Sequence, residues 1–192
     1  AKNFAPANIY LGADDPAVDG TLDAANADAL AVSACFAGLA PDVDLGEVTG
    51  DVVIPSDGRT VTVVNIDSLD IKDATITFQG VSGQQTRFIV NVTGNSPVEP
   101  LDGGYLDFDF ANSEVVVEGV GARGIVWNFT NTDADDLQYA KIYKKESVFL
   151  GTVLAPYGNV EYHNPGSFLG AIVAGEVNLH SDFNLEHRSL NA

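Results

Sequence analysis

The heptapeptide Phe149-Leu-Gly-Thr-Val-Leu-Ala155 returns as Phe168-Leu-Gly-Ala-Ile-Val-Ala174, displaced by 19 residues. The stretches that follow also match loosely, Gly158-Asn-Val160 against Glu176-Val-Asn-Leu179. A unit that recurs at about 20 residues is the mark of a stacked architecture, because one such unit cannot bury its apolar side alone. At about 3.3 Å per residue, 19 residues suit three short strands joined by tight bends. Stacking in register puts Phe149 on Phe168, Leu150 on Leu169 and Ala155 on Ala174. Each circuit then hydrogen-bonds to the next.

The middle of the chain has the same texture. Runs rich in Val, Ile, Thr and Phe alternate with Gly, Asn, Asp and Pro: residues 51–54, 60–64, 74–78, 87–92, 105–110, 114–118 and 125–129. These have strand length and turn punctuation. In 105–110 the period is two, with Leu106, Phe108 and Phe110 on one side and Asp107 and Asp109 on the other, as in a half-buried strand. Only one segment departs from this pattern. Leu22, Ala25, Ala29, Val32, Phe36 and Leu39 recur at steps of three and four, which predicts a helix over 21–38 lying on an apolar surface. Thr21 is the expected N-cap, and Gly38 and Pro41 close the segment. The expected fold is mainly β: a right-handed β-solenoid of short coils with this α-helix packed alongside. A β-sandwich or jelly roll is the rival. Residues 1–20 read as an N-terminal arm and 21–192 as one domain.

Charge narrows the partners. Asp and Glu number 27 against 9 Lys and Arg, a net charge of −18. Such a field repels polyanions, which argues against nucleic acid and anionic membrane surfaces. No stretch reaches the roughly 18 apolar residues of a membrane span, so direct membrane insertion is not expected. No signal peptide remains, and without a Met at position 1 the chain is expected to begin at a processed or chosen boundary. Cys35 is the single cysteine and is expected to be a small buried residue of the helix rather than a reactive thiol.

Motifs of chemistry are few. Gly119-Val-Gly-Ala-Arg-Gly124 spells a dinucleotide fingerprint, but the mechanism requires a helix to follow, and Ile125–Phe129 reads as a strand; a turn between coils is the better reading. Thr60-Val-Thr62 and Thr75-Ile-Thr77 each place two threonines on one strand face, which suits ice binding if they stack and ordinary strand propensity if they do not. Asp133, Asp135 and Asp136 offer loop carboxylates for calcium, without the spacing of an EF-hand; Asp14-Asp15 is a similar pair. No cofactor is required by any pattern in the chain. His163, His180 and His187 form no zinc motif, and no serine nucleophile elbow is present. Enzyme activity is therefore not expected. Asn91-Val-Thr93 and Asn128-Phe-Thr130 are glycosylation sequons; Asn91, nearer a turn, is the better acceptor, and Asn128 beside Trp127 the poorer one.

A family likeness joins these observations. Residues Ile125-Val-Trp-Asn-Phe129, the acidic 133–137, Gly151-Thr-Val-Leu-Ala-Pro156, Asn159-Val160, Gly166-Ser-Phe-Leu-Gly-Ala-Ile-Val-Ala174, Phe183 and Glu186-His187 follow one another in an order that resembles the choice-of-anchor A domains of bacterial surfaces, a family assigned to adhesion. The likeness spans roughly residues 60–188. Thr130 stands where that family has Pro, and the family's N-terminal F-G-D and G-R-V-A-V-G-G-N segments are missing, as in a fragment or in a variant whose first coils come from elsewhere. A more distant likeness, through an Ala-rich helix ahead of an F-x-G-T-I-L-A coil, reaches the microbial ice-binding fold. The resemblance implies an extracellular, secreted or cell-surface-attached adhesive module. Its expected partner is a surface or matrix component. A self-assembling subunit of a fibre or surface layer, binding copies of itself, comes second, and an ice-binding protein third. No binding residue transfers from these motifs.

Overall fold

The computed structural model describes residues 16–94, 105–120, 124–130, 138–143, 148–163, 166–180 and 183–187. It opens with α1 (Pro16–Ala37), which starts at Pro16 rather than at Thr21. Proline is well placed in the first turn of a helix, where its missing N–H would have had no intrahelical partner. The helix closes through Gly38 N–H donating to the Ala34 carbonyl (3.1 Å) and Leu39 N–H to that of Phe36 (3.2 Å).

The chain then runs in circuits. The first makes β1 (Val43–Asp44), β2 (Glu47–Val48) and β3 (Val52–Pro55). The second makes β4 (Val61–Ile66), β5 (Ser68–Lys72) and β6 (Thr75–Gln79). The third makes β7 (Arg87–Val92), β8 (Tyr105–Ala111) and β9 (Glu114–Glu118). After these come β10 (Ile125–Phe129), β11 (Gln138–Tyr143), the long β12 (Val148–His163) and β13 (Gly166–Leu179), and β14 (Phe183–His187). Every strand pairing is parallel, and each strand pairs with its counterpart one circuit away.

Three sides result. On the first lie β1, β4, β7, β10, the leading halves of β12 and β13, and β14. The second carries β2, β5, β8, β11 and the trailing halves of β12 and β13. The third holds β3, β6 and β9. The fold is mainly β with one helix, and its parallel sheets are consistent with a β-helix.

The repeat pairs as its spacing predicts: Phe149 with Phe168, Leu150 with Leu169 and Ala155 with Ala174. A register shift follows, so that Val160 meets Val177 two residues out of the 19-residue step. The Phe149 and Phe168 rings stack with centroids 5.4 Å apart and 25° between planes. Gly151, with φ of 118°, is where this circuit crosses the previous one. A β-carbon there would lie 2.9 Å from the Ile125 carbonyl oxygen and 3.0 Å from Trp127 Nε1, and one at Gly170 would collide with the Gly151 carbonyl oxygen. The Phe-Leu-Gly of both copies is thus a ring for the interior followed by the one residue without a side chain to obstruct the crossing.

Inside, Phe78, Phe88, Phe108, Phe110, Trp127 and Phe149 form a continuous aromatic core, mostly in tilted or edge-to-face contacts of 4.9–6.2 Å. Aromatic pairs prefer such geometry, because the positive edge of one ring meets the negative face of another. Trp127 would bury an orphan N–H there, but its Nε1 donates to the Leu150 carbonyl at 3.0 Å.

Candidate functional surface

Side chains that point away from the core make one row per alternate position on each side, and these rows decide what each side offers. On the first side the decisive row is Asn65, Asn91 and Asn128, adjacent in register on β4, β7 and β10. Asn128 Nδ2 donates to Asn91 Oδ1 (2.8 Å) and to the Ser33 carbonyl of α1 (3.1 Å). Asn91 Nδ2 likewise donates to Asn65 Oδ1 (3.3 Å) and to the Phe36 carbonyl (3.0 Å). Ser33 Oγ in turn donates to the Phe129 carbonyl at 3.3 Å. Helix C-termini leave carbonyls unpaired and carry partial negative charge, and α1 has no basic residue in its last turn. The asparagine amides add a donor at the Phe36 carbonyl, which Leu39 N–H also serves, and another at that of Ser33.

This bears on three expectations. Asn91, the expected glycan acceptor, is 1% exposed and both its amide hydrogens are engaged under the helix, a poor setting for a glycan. The helix also rests on only part of the stripe its periodicity suggested. Ser33 is buried and Ala29, Leu30 and Phe36 are half-buried, whereas Ala25, Val32 and Leu39 are exposed. The surface beneath is partly amide rather than wholly apolar, so the helix turns a serine toward it. Cys35 is exposed, not buried, for the same reason. The sequence does carry a signal for the row, since Asn recurs between apolar neighbours in Val64-Asn-Ile66, Val90-Asn-Val92 and Trp127-Asn-Phe129.

With α1 over the first side, the second and third remain. In register on the second side, Asp70 pairs with Asp109, Lys141 with Asp109 and Glu161, and Glu161 with Asn178. Glu47, Asp70 and Glu176 are exposed, so this side presents carboxylates. On the third side Val53, Thr77 and Val116 stand in one row and Pro55, Gln79 and Glu118 in the next, with Gln79 Nε2 donating to Glu118 Oε2 at 2.9 Å. Thr75 has Glu114 beside it. The two threonine pairs therefore do not stack: Thr62 is buried on the first side, and Thr75 and Thr77 each adjoin other residue types.

The glycine-rich Gly119–Gly124 lies between β9 and β10, with no helix after it. Gly119 (φ 67°) packs against Gly80 so closely that a β-carbon on it would lie 2.8 Å from the Gly80 carbonyl oxygen, which makes these glycines two stacked corners. Among the described residues no three His, Cys, Asp or Glu side chains are grouped to hold a metal. Asp133, Asp135, Asp136 and the Asp14-Asp15 pair lie outside the described residues. Among those described, no helix is long and apolar enough to cross a membrane.

Parallel sheets with a helix along one side are the setting for the comparison with known families. The family described as "Putative Ice-binding-like adhesive domain" matches residues 2–185. The chain belongs to this family. No curated protein matches the sequence. Among solved structures, the crystal structure of an ice-binding protein from the Antarctic ascomycete Antarctomyces psychrotrophicus superimposes with a TM-score of 0.63 at 15% identity, over 88% of this chain and 73% of that one. At that identity the likeness is one of fold.

Proposed function

We propose that this ice-binding-like adhesive domain is a non-catalytic extracellular module, wound as a right-handed β-solenoid, that attaches its parent to a surface or matrix component. The handedness follows from the strong preference of parallel crossovers. The observation that carries the reading is the family match over residues 2–185. The geometry supports it: two sides of the stack are parallel sheets away from α1, which suits contact over an area. The likeness to choice-of-anchor A domains supports the same function. The test is retention of beads coated with the domain on polysaccharide, protein-matrix and cell surfaces. Retention on at least one class above that of albumin-coated beads is expected, and equality on every surface overturns the reading.

Ice binding is the second reading, favoured by the fold shared with an ice-binding protein. The interrupted threonine rows weigh against it, because an ordered hydroxyl array would need threonines in adjacent circuits. Round, unfaceted ice crystals at high protein concentration remove it. Assembly of copies into a fibre or layer ranks next, and light scattering that reports a monomer with and without calcium counts against it. We propose Asp133, Asp135 and Asp136 as the place where calcium, if bound, would be held; a melting temperature identical in calcium and in chelator overturns that assignment.

A further inference from the structure

α1 covers more than it buries of itself. Ile89 and Leu154 stand in the outward rows of the first side, beside Asn91 and Asn128, yet they are only 8% and 6% exposed, with α1 lying across β7, β10 and β12. The helix sinks little in return. Among residues 24–37 only Ser33 is buried, Ala29, Leu30 and Phe36 are half-buried, and the others are exposed. Three polar contacts fix its position: Asn128 Nδ2 on the Ser33 carbonyl (3.1 Å), Asn91 Nδ2 on that of Phe36 (3.0 Å) and Ser33 Oγ on that of Phe129 (3.3 Å). Water can replace each of these partners once the helix lifts, so their net hold is small.

Two features let the helix leave without the stack. Residues 38–42, between α1 and β1, are all exposed, and the chain is fastened again only at Asp42. There the Asp42 N–H donates to the Val63 carbonyl (2.8 Å), Oδ2 accepts the Val63 N–H (2.9 Å) and Oδ1 meets Arg59 Nε at 3.1 Å. The segment 38–41 is thus a joint with a firm anchor behind it. The helix is also able to persist alone. It is rich in alanine, the best helix former, and its 22 residues exceed the roughly 12–15 below which an isolated helix is marginal. The strands beneath have no such independence, since each is paired to the next and Phe88, Val90 and Trp127 are fully buried in a shared core.

We infer that α1 is a releasable cover. It lifts as a unit about the joint at 38–41, in an opening separate from the unfolding of the strands and less costly than it. Elements with few buried apolar contacts populate such openings, while a core opens only with the whole molecule. Release bares Ile89, Leu154 and the amides of Asn65, Asn91 and Asn128, so that the first side becomes an uncovered sheet of mixed apolar and amide character. The inference is independent of the adhesive reading, which uses the two sides away from α1.

The test is thiol labelling of two variants in a Cys35→Ser background: Ser33→Cys, beneath the helix, and Val64→Cys, in the fully buried core. The thiol at 33 is expected to react at least about tenfold faster than that at 64, and with less dependence on urea, because lifting a helix exposes less surface than unfolding. A further substitution separates the two openings. Val115→Ala, in the core on the third side, weakens the stack alone; it should speed reaction at 64 by about tenfold and leave that at 33 within about twofold. Ser33→Cys itself removes one contact of the helix, so hydrogen exchange is read on the unaltered chain as well. There the Nδ2 hydrogens of Asn91 and Asn128 are expected to be at least about tenfold less protected than the backbone N–H groups of β7 and β10. Equal rates at 33 and 64, a parallel rise at both with Val115→Ala, or side-chain amides as protected as the strand backbone would each overturn the proposal.

Discussion

Asn128 donates one amide hydrogen to Asn91 Oδ1 on the neighbouring circuit, at 2.8 Å, and the other to the helix carbonyl of Ser33, at 3.1 Å. This one side chain therefore couples the stack to itself and to α1. Both groups it serves are buried or partly so, and leaving a buried polar group unpaired costs about 1–3 kcal/mol. Asn128→Ala is expected to destabilise by that order in urea titrations. Asn91→Asp should cost more than Asn91→Ala. It replaces the donor to Phe36 with a charged acceptor at the negative end of the helix. Denaturation curves of the three variants give the ranking directly, and Asn91→Asp no worse than Asn91→Ala would refute the capping role.

Legibility in the sequence followed the physics of each element. The strands 87–92, 114–118 and 125–129 were readable to the residue, because β-branched and aromatic runs between turn residues have few other uses. The stacking of Phe149 on Phe168 was readable because repetition itself encodes register. β5 and β11 were missed. Ser68–Lys72 alternates within five residues too polar to stand out, and Gln138–Tyr143 carries Gln and Lys among its apolar residues. The helix face was misread because periodicity reports where apolar groups lie, and here the partner surface is a row of amides. For the candidate surfaces, composition gave the acidity, but the rows of the second and third sides exist only once register is known.

The repeat's glycines give a second prediction. Gly170→Ala places a β-carbon on the Gly151 backbone, where no flexible side chain can yield. Gly58 also has a positive φ, 82°, but open space around it. Gly58→Ala should therefore cost only the left-handed backbone penalty of about 1–2 kcal/mol. Gly170→Ala should cost more than Gly58→Ala and raise the unfolded fraction at lower urea. Equal midpoints would mean that the two circuits do not approach each other as closely as described.

Cys35 supplies a test of how the helix is turned. Its thiol is exposed because Ser33, and not the Val32–Leu39 stripe, faces the sheet. A thiol reagent should thus modify one group per chain in the native protein, at a rate within about tenfold of the urea-unfolded chain. Modification that waits for denaturant would restore the stripe predicted from periodicity.

Tyr162 makes the last prediction, through alkaline pH. Its side chain is fully buried on β12, packed 6.4 Å from the Phe168 ring, and burial pushes its phenol up from an ordinary value near 10 to about 12. The folded state therefore holds this proton more tightly than the unfolded chain does. The sign follows: the contribution is fully present below about pH 10 and is lost as pH rises from about 10 to about 12. Over that window stability should fall by about 1.4 kcal/mol per pH unit from this group. Tyr162→Phe should be less steep over the same window, whatever its stability at neutral pH, because it has no proton to lose. Urea midpoints at pH 9, 10 and 11 for both chains decide it, and parallel lines would show that Tyr162 reaches solvent in the native state.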